Sequence, residues 1–212
     1  MAEKPGMERI RFFSDGVFAI AITLLVLNIA LPRGTVEGNL AHRLDIIWPE
    51  YAAFAFTFLL IGLRWLTHLI QLRFIHSYDN TLLGLNLGLL CVVAFLPFAS
   101  RVLARYPDSR AACVVYAISM AVAGLISTLI WWHACWGKHP LVGPELNKYA
   151  RTNLLLRWIT LPLLFSLATI LVLFDSNLWA ARLVAFATPV IQIMIATLLP
   201  RLTGHQNDVA DI

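Results

Sequence analysis

The sequence predicts an all-α membrane protein that crosses the bilayer with six helices in a single domain, residues 1–212. Apolar residues make up 59% of the 212 residues and charged residues only 13%, whereas soluble domains contain roughly 45–50% and about 25%. Six long runs are nearly free of charge, and most approach the ~20 residues that a helix needs to cross the hydrocarbon core. Backbone polar groups find no water in lipid, so runs of this length favour helices.

Turn-forming residues between the runs set the helix limits. Breaks rich in Pro, Gly, Asp, Asn or Ser lie at 32–34, 78–80, 106–108, 138–144 and 175–177. The predicted helices cover residues 9–31, 47–74, 79–103, 110–136, 152–174 and 178–200, and residues 201–212 form a tail. The first run resembles a signal peptide but ends at Pro32 without a small-x-small cleavage site, so we expect it to be retained. The segment 138–157 suits a short amphipathic helix or a plain loop equally.

The basic residues favour a topology with both termini in the cytoplasm. Six spans place the termini on one side, where eight Lys and Arg residues would lie, against five on the other side. We therefore expect a multi-pass protein of the cell membrane, most simply a bacterial plasma membrane, with a cytoplasmic tail. The net charge of +4 comes from only sixteen Lys and Arg residues, which are too scattered for a nucleic-acid surface.

Polar side chains recur at one depth of the first three predicted helices. They are Arg9, Ser14, Asp15, Trp65, His68, Asp79 and Asn86. Polar groups in lipid pair with one another, so we expect an Arg9–Asp15–His68–Asn86 cluster that joins these helices near the cytoplasm. The alternative is that each residue caps a helix or reaches the interface alone. Arg64 lies deeper in the second helix and has no evident partner.

These residues also carry a family resemblance. Arg9-x-x-x-Phe13-Ser14-Asp15 at the start of the first helix resembles the signature of the transmembrane protein 175 family. That family contains potassium-permeable channels of endolysosomes and shorter prokaryotic relatives. The resemblance continues through Trp65-x-x-His68, Asp79, Leu85-Asn86-Leu87 and Phe95-Leu96-Pro97-Phe98, which is about half of the chain. Leu69 departs from it, because many relatives carry a second histidine there.

The resemblance implies a homotetrameric potassium channel of the prokaryotic form, without cofactors or enzymatic activity. Animal members carry two six-helix repeats, whereas the signature occurs once in this chain. A single first helix cannot enclose an ion path, but symmetric copies around an axis can. The expected partners are K⁺ ions, the lipid bilayer and three further copies of the chain.

A stripe on the first helix is the candidate pore lining. Ile20, Leu24 and Leu27 follow i, i+4, i+7 spacing and share one face. By itself such a stripe usually faces lipid or another helix. The resemblance implies that it lines the pore, with Ile20 as the main constriction. Thr23 would support the ring through a bond to a neighbouring helix, or else bond its own helix's carbonyl.

The sequence offers no Thr-Val-Gly-Tyr-Gly filter, so a ring of carbonyls does not select the ion. An apolar ring forces partial dehydration, and potassium holds its water less tightly than sodium, so we expect modest selectivity. The alternative functions are a secondary transporter or a proton-conducting membrane protein. A transporter would favour acidic groups at mid-membrane, and none accompanies Pro97, Pro162 or Pro189. Common motifs of hydrolases and nucleotide-binding enzymes are also missing.

Overall fold

The computed structural model describes residues 5–30, 40–137, 139–144, 146–174 and 178–202. The described chain is helical almost throughout. The helices are α1 (Pro5–Leu24), continued by a 3-10 segment (Leu25–Asn28), α2 (Leu40–Ile46), α3 (Trp48–Phe74), α4 (Asn80–Arg105), α5 (Arg110–Trp136), α6 (Lys148–Phe174) and α7 (Trp179–Leu202). Residue 31 of the predicted first helix and the predicted tail from 203 onward lie outside the described residues.

The long helices match the predicted ones in number and order, but the limits differ. The first helix begins four residues earlier than predicted and tightens to a 3-10 turn after Leu24. The seven-residue helix α2 was not predicted, because its sequence is short and polar. Five helices are long and apolar enough to cross a membrane, and the described apolar part of α7, Trp179–Met194, is shorter. The chain is therefore an all-helical, multi-pass membrane protein.

The helices pack mainly against their neighbours in sequence. Helix α1 lies against α3 and α4, α5 packs between α4 and α6, and α7 packs chiefly against α6. Gly124 permits the close approach of α5 and α6, because a Cβ there would lie 2.6 Å from Leu161 and 2.7 Å from Pro162. Two turns further along α5, the ring of Trp131 meets that of Trp158 on α6 edge to face, with the ring centroids 4.7 Å apart. Through these contacts, α5 forms the centre of the part of the bundle built from α4, α5 and α6.

Hydrogen bonds inside the bundle fix α3 against its neighbours. The Thr57 hydroxyl lies 3.0 Å from that of Ser100 and 3.1 Å from that of Tyr116. Near the other end, Gln71 donates to the Ser127 carbonyl at 3.0 Å and accepts from its hydroxyl at 3.1 Å. Such bonds satisfy polar groups that lipid cannot solvate.

In the described residues 137, 139–144, 146 and 147, the connection between α5 and α6 forms no helix before Lys148. It folds back on the end of α3, where Ile75 and Val142 form an antiparallel bridge. His76 donates its backbone N–H to the Leu141 carbonyl at 3.0 Å. This contact holds the ends of α3, α5 and α6 together on the side where α1 begins.

Candidate functional site

The site is built on α1, which buries one face. Ser14, Phe18, Ala21 and Leu25 follow a spacing of four, three and four residues and are all buried. This is the spacing of one helical stripe, and it faces α3 and α4. The placement of α1 in the bundle is therefore determined by an apolar stripe with a single serine at its start.

Two side-chain hydrogen bonds tie α1 to its neighbours at the level of that serine. The Trp65 indole Nε1 donates to Asp15 Oδ1 at 2.8 Å, which links α3 to α1. Asn86 Nδ2 donates to Ser14 Oγ at 3.1 Å, which links α4 to α1. The Ser14 hydroxyl in turn donates to the Ile10 carbonyl at 2.8 Å. We call these four residues, Ser14, Asp15, Trp65 and Asn86, the inner tie.

Two members of the predicted cluster, Arg9 and His68, form no hydrogen bond with the inner tie among the described residues. Arg9 is exposed, and the basic side chain that reaches α3 is Arg11, whose Nη2 donates to the Leu72 carbonyl at 2.5 Å. The helix begins at Pro5, so Asp15 lies in its interior and does not cap it. His68 is only 1% exposed, and neither ring nitrogen has a hydrogen-bond partner among the described residues. Its ring packs 5.6 Å from that of Phe18.

Asp79 forms a separate link rather than joining the inner tie. Its Oδ1 accepts from the Leu82 backbone N–H at 2.7 Å and caps α4, while Oδ2 lies 2.8 Å from His133 Nε2 on α5. The Leu82 N–H is the main cause that lowers the Asp79 pKa, and the bond to His133 lowers it further. The sequence did not reveal His133 as a partner, because it lies 54 positions away on another helix.

Arg64 is buried without a counter-ion among the described residues. It is 3% exposed, and its Nε and Nη1 have no hydrogen-bond partner in the part of the chain that the structure describes. It lies on the stripe of α3 that carries Thr57 and Gln71, seven residues from each, and that stripe faces α4 and α5. Arg64 therefore points into the bundle and away from α1's exposed face.

The other face of α1 is apolar and exposed. Ile20 is 61% exposed, Leu24 42% and Leu27 62%, although Leu27 belongs to the 3-10 segment. Thr23 is exposed as well, and its hydroxyl donates to the Ile20 carbonyl of its own helix at 2.9 Å. Phe13, from the signature, is also exposed on α1. Within one chain these side chains lie on a bare surface.

A second set of bonds, which sequence reasoning missed, holds the far end of α1. Arg101 on α4 donates from Nε to Asn28 Oδ1 and from Nη2 to the Leu27 carbonyl, both at 2.9 Å. Asn28 Nδ2 donates to the Pro97 carbonyl at 2.8 Å. Glu50 on α3 accepts from the Ala30 N–H at 3.0 Å. We call Asn28, Pro97 and Arg101 with the Leu27 carbonyl the outer tie.

Comparison with known proteins connects this architecture to one family. Residues 9–97, which contain most of α1, all of α2 and α3 and most of α4, match the family model described as endosomal/lysosomal potassium channel TMEM175. A protein of Streptomyces collinus described as a potassium channel is 38% identical over 167 residues, covering 76% of this chain and 81% of that protein. A potassium channel of Chamaesiphon minutus is 38% identical over 131 residues, 59% of this chain and 64% of that protein.

The fold shows the same likeness over more of the chain. The crystal structure of a protein described as a lysosomal potassium-selective channel TMEM175 homolog from Chamaesiphon minutus superposes with a TM-score of 0.77 and 28% identity. The match covers 90% of this chain and 98% of that structure. The structural match therefore extends well beyond residues 9–97, the part of the chain that the family model matches.

Proposed function

This chain belongs to the TMEM175 family of potassium channels, and we propose that it is a potassium-permeable channel in which α1 from four copies surrounds a central pore. It is a membrane protein and not an enzyme. In this proposal the chain is one six-span domain over residues 1–212 that assembles as a homotetramer. Both termini lie in the cytoplasm, and the membrane is the plasma membrane of a bacterium. The positive residues on the side of the termini support this topology.

The observation that carries the proposal is the contrast between the faces of α1. One face is buried against α3 and α4, whereas Ile20, Leu24 and Leu27 remain exposed on the other. A helix fixed at both ends with a bare apolar stripe between them suits a symmetric assembly, because each copy contributes the same stripe around an axis. The stripe then forms apolar rings, with Ile20 as the constriction and Leu24 and Leu27 as further rings.

An apolar ring selects by dehydration rather than by coordination. It offers no oxygen ligands, so an ion that enters must lose part of its water, and the ring resists wetting. Potassium gives up water more readily than sodium. A tenfold preference requires a difference of only ~1.4 kcal/mol between the two barriers, so the expected selectivity is modest. The Thr23 hydroxyl, satisfied by its own helix, would hold the local shape of the ring.

The test is a liposome flux assay under defined potassium and sodium gradients. Wild type should pass potassium faster than sodium. Ile20→Ala widens the ring, so an ion keeps more of its water and the potassium-to-sodium permeability ratio falls. Ile20→Asn should lower the ratio and also raise total flux, because it wets the ring. Leu24→Ala and Leu27→Ala should increase conductance with smaller changes in the ratio.

Ile22→Ala is the matched control, because Ile22 packs against the core on the same helix and the side-chain change is the same. It should leave the ratio unchanged in correctly folded protein. An unchanged ratio in Ile20→Ala would move selectivity away from α1. The assembly is tested separately by crosslinking in mild detergent and by mass photometry, and a strictly monomeric particle would contradict the tetramer.

A further inference from the structure

An apolar cavity is lined by helices other than α1. It has a volume of about 300 Å³ and lies between α3, α5, α6 and α7, beside the end of α4 and the α4–α5 loop. Small side chains create the space, and aromatic rings, including that of Tyr116, form part of its wall. The small residues include Ala53, Ala104, Ala117, Ala168 and Ala185. Apart from backbone and Tyr116, the only polar or ionisable side chains in the lining are Trp48, Trp179, Cys113 and Arg182.

Few contacts between α3 and α7 separate the cavity from the surrounding lipid. Helix α7 packs on α6 and touches α3 at few places, one of which is the contact of the Phe56 and Phe186 rings at 4.7 Å. Phe186 is exposed on the outside of this contact, and Trp48 and Trp179 are exposed at the rim. Tryptophan at such a rim is typical of the boundary between hydrocarbon and headgroups. A flexible chain in the bilayer can therefore enter between α3 and α7.

We propose that this cavity binds one acyl chain of an anionic phospholipid from the surrounding leaflet. Apolar cavities do not hold water, and one of roughly 150 Å³ already takes up benzene. At about 300 Å³, this cavity accommodates a longer apolar segment. Because the solvent at these helices is hydrocarbon, the lipid tail is the apolar ligand present at the highest concentration.

The charge at the rim selects the headgroup. Arg182 Nη2 donates to the Pro107 carbonyl at 2.6 Å and to Asp108 Oδ1 at 2.8 Å. Among the described residues both bonds use Nη2, so Nε and Nη1 remain for a further acceptor. Arg105 and Arg110 flank the same loop and are exposed. Together with Arg182 they give three cations against one carboxylate, Asp108, counted over residues 105–110 and Arg182. A cluster with net positive charge attracts an anionic headgroup, and a guanidinium matches the geometry of a phosphate.

The experiment compares lipids and variants by native mass spectrometry of the assembled protein. Dioleoyl phosphatidylglycerol and dioleoyl phosphatidylcholine, which share their acyl chains, are each titrated into delipidated protein. Wild type should retain one phosphatidylglycerol per chain and less phosphatidylcholine. Ala53→Leu and Ala185→Leu fill the cavity, and each should lower retention of both lipids by about tenfold, equivalent to ~1.4 kcal/mol. Ala55→Leu, an exposed position on α3 that does not line the cavity, is the matched control and should bind as wild type does.

The Arg182→Gln variant distinguishes recognition of the lipid headgroup from binding of the acyl chain. Its preference for phosphatidylglycerol over phosphatidylcholine should be smaller than that of wild type, while phosphatidylcholine retention stays the same, because the cavity is intact and the rim has lost one of its three cations. Equal retention by wild type and by both filled variants would overturn the proposal, since the cavity would then not be the binding site. No lipid retained by wild type would also overturn it, and would leave the cavity to be covered by a neighbouring copy of the chain.

Discussion

The two ends of α1 are fastened by different chemistry. The inner tie joins α1 to both α3 and α4 through Ser14 and Asp15, and its Ser14–Asn86 bond is buried. The outer tie depends on Arg101, whose bonds to Asn28 and to the Leu27 carbonyl are exposed. The candidate pore stripe lies between these two ends. The stripe is therefore held at one end by a tie with a buried bond. At the other end the tie has two exposed arginine bonds and the part-buried Asn28–Pro97 bond.

The two ties should differ in their contribution to stability, because a buried group that loses its bond cannot bond to water instead, whereas an exposed group can. A buried polar group that loses its partner keeps its desolvation cost, so breaking a buried bond is expensive. An exposed pair exchanges with water and contributes little. The inner tie therefore fixes where α1 sits, while the outer tie orients the last turn, where the helix tightens to 3-10 geometry. Stability should depend chiefly on the inner end, and pore shape near Leu27 on the outer end.

The largest expected effect comes from breaking the inner tie. Trp65→Phe keeps the aromatic ring but removes the indole N–H, which leaves the Asp15 carboxylate without this donor. A bond to a charged group typically contributes about 1.5–3 kcal/mol, so the apparent melting temperature and the yield of assembled protein should fall. Asp15→Ala should have a similar effect, while the potassium-to-sodium ratio of the protein that assembles stays the same.

Thr67→Val is the matched control on α3, because the Thr67 hydroxyl donates only within its own helix, to Leu63. Its melting temperature should remain close to that of wild type. A well-assembled Asp15→Ala channel with an altered ion ratio would contradict the structural role. It would place Asp15 in the ion path instead.

Breaking the outer tie should have a smaller effect on stability. Arg101→Gln removes the bonds to Asn28 and Leu27, and because they are exposed the expected loss is about 0.5–1 kcal/mol. The conductance should change clearly, because the carbonyl of Leu27 loses its bond to Arg101, whereas the melting temperature should fall only slightly. Arg105→Gln, an exposed arginine one turn later on the same helix, is the control. A loss of stability equal to that of Trp65→Phe would remove the distinction between the two ends.

The contrast between buried and exposed contacts also explains which features of the structure could be predicted from the sequence. Long apolar runs predict the long helices, because only helices satisfy the backbone in lipid. The predicted Arg9–Asp15–His68–Asn86 cluster rested on the pairing of polar groups in lipid, and in the structure Asp15 bonds to Trp65 and Asn86 bonds to Ser14 instead. The Arg101–Asn28 and Asp79–His133 bonds were missed. Their partners lie at helix ends near water, where a polar residue needs no partner and its presence predicts nothing. Helix α2 was missed because seven residues are too few to be recognised as a membrane span, and the pore role of Ile20 stays a prediction.

The smallest expected effect concerns the Asp79–His133 link, a second contact on the side of the inner tie. The Asp79 pKa is lowered in the folded protein, first by the Leu82 N–H and then by His133. A lowered carboxyl pKa adds stability that is present above the unfolded value of about 3.9 and is lost as pH falls through the folded value. The melting temperature of wild type should therefore decrease on acidification below about pH 4.

Two variants separate the causes of this pH dependence. Asp79→Asn retains an oxygen that can cap α4 but removes the charge, so the acid-dependent decrease in melting temperature should become smaller in that window. His133→Gln leaves the Leu82 N–H in place, which is the largest cause of the lowered pKa, so it should keep most of the decrease. Melting curves of the three proteins between pH 3 and 6, in the same detergent, measure the difference. If His133→Gln removed the pH dependence and Asp79→Asn preserved it, the link between α4 and α5 would depend on the histidine, and the helix cap would be incidental.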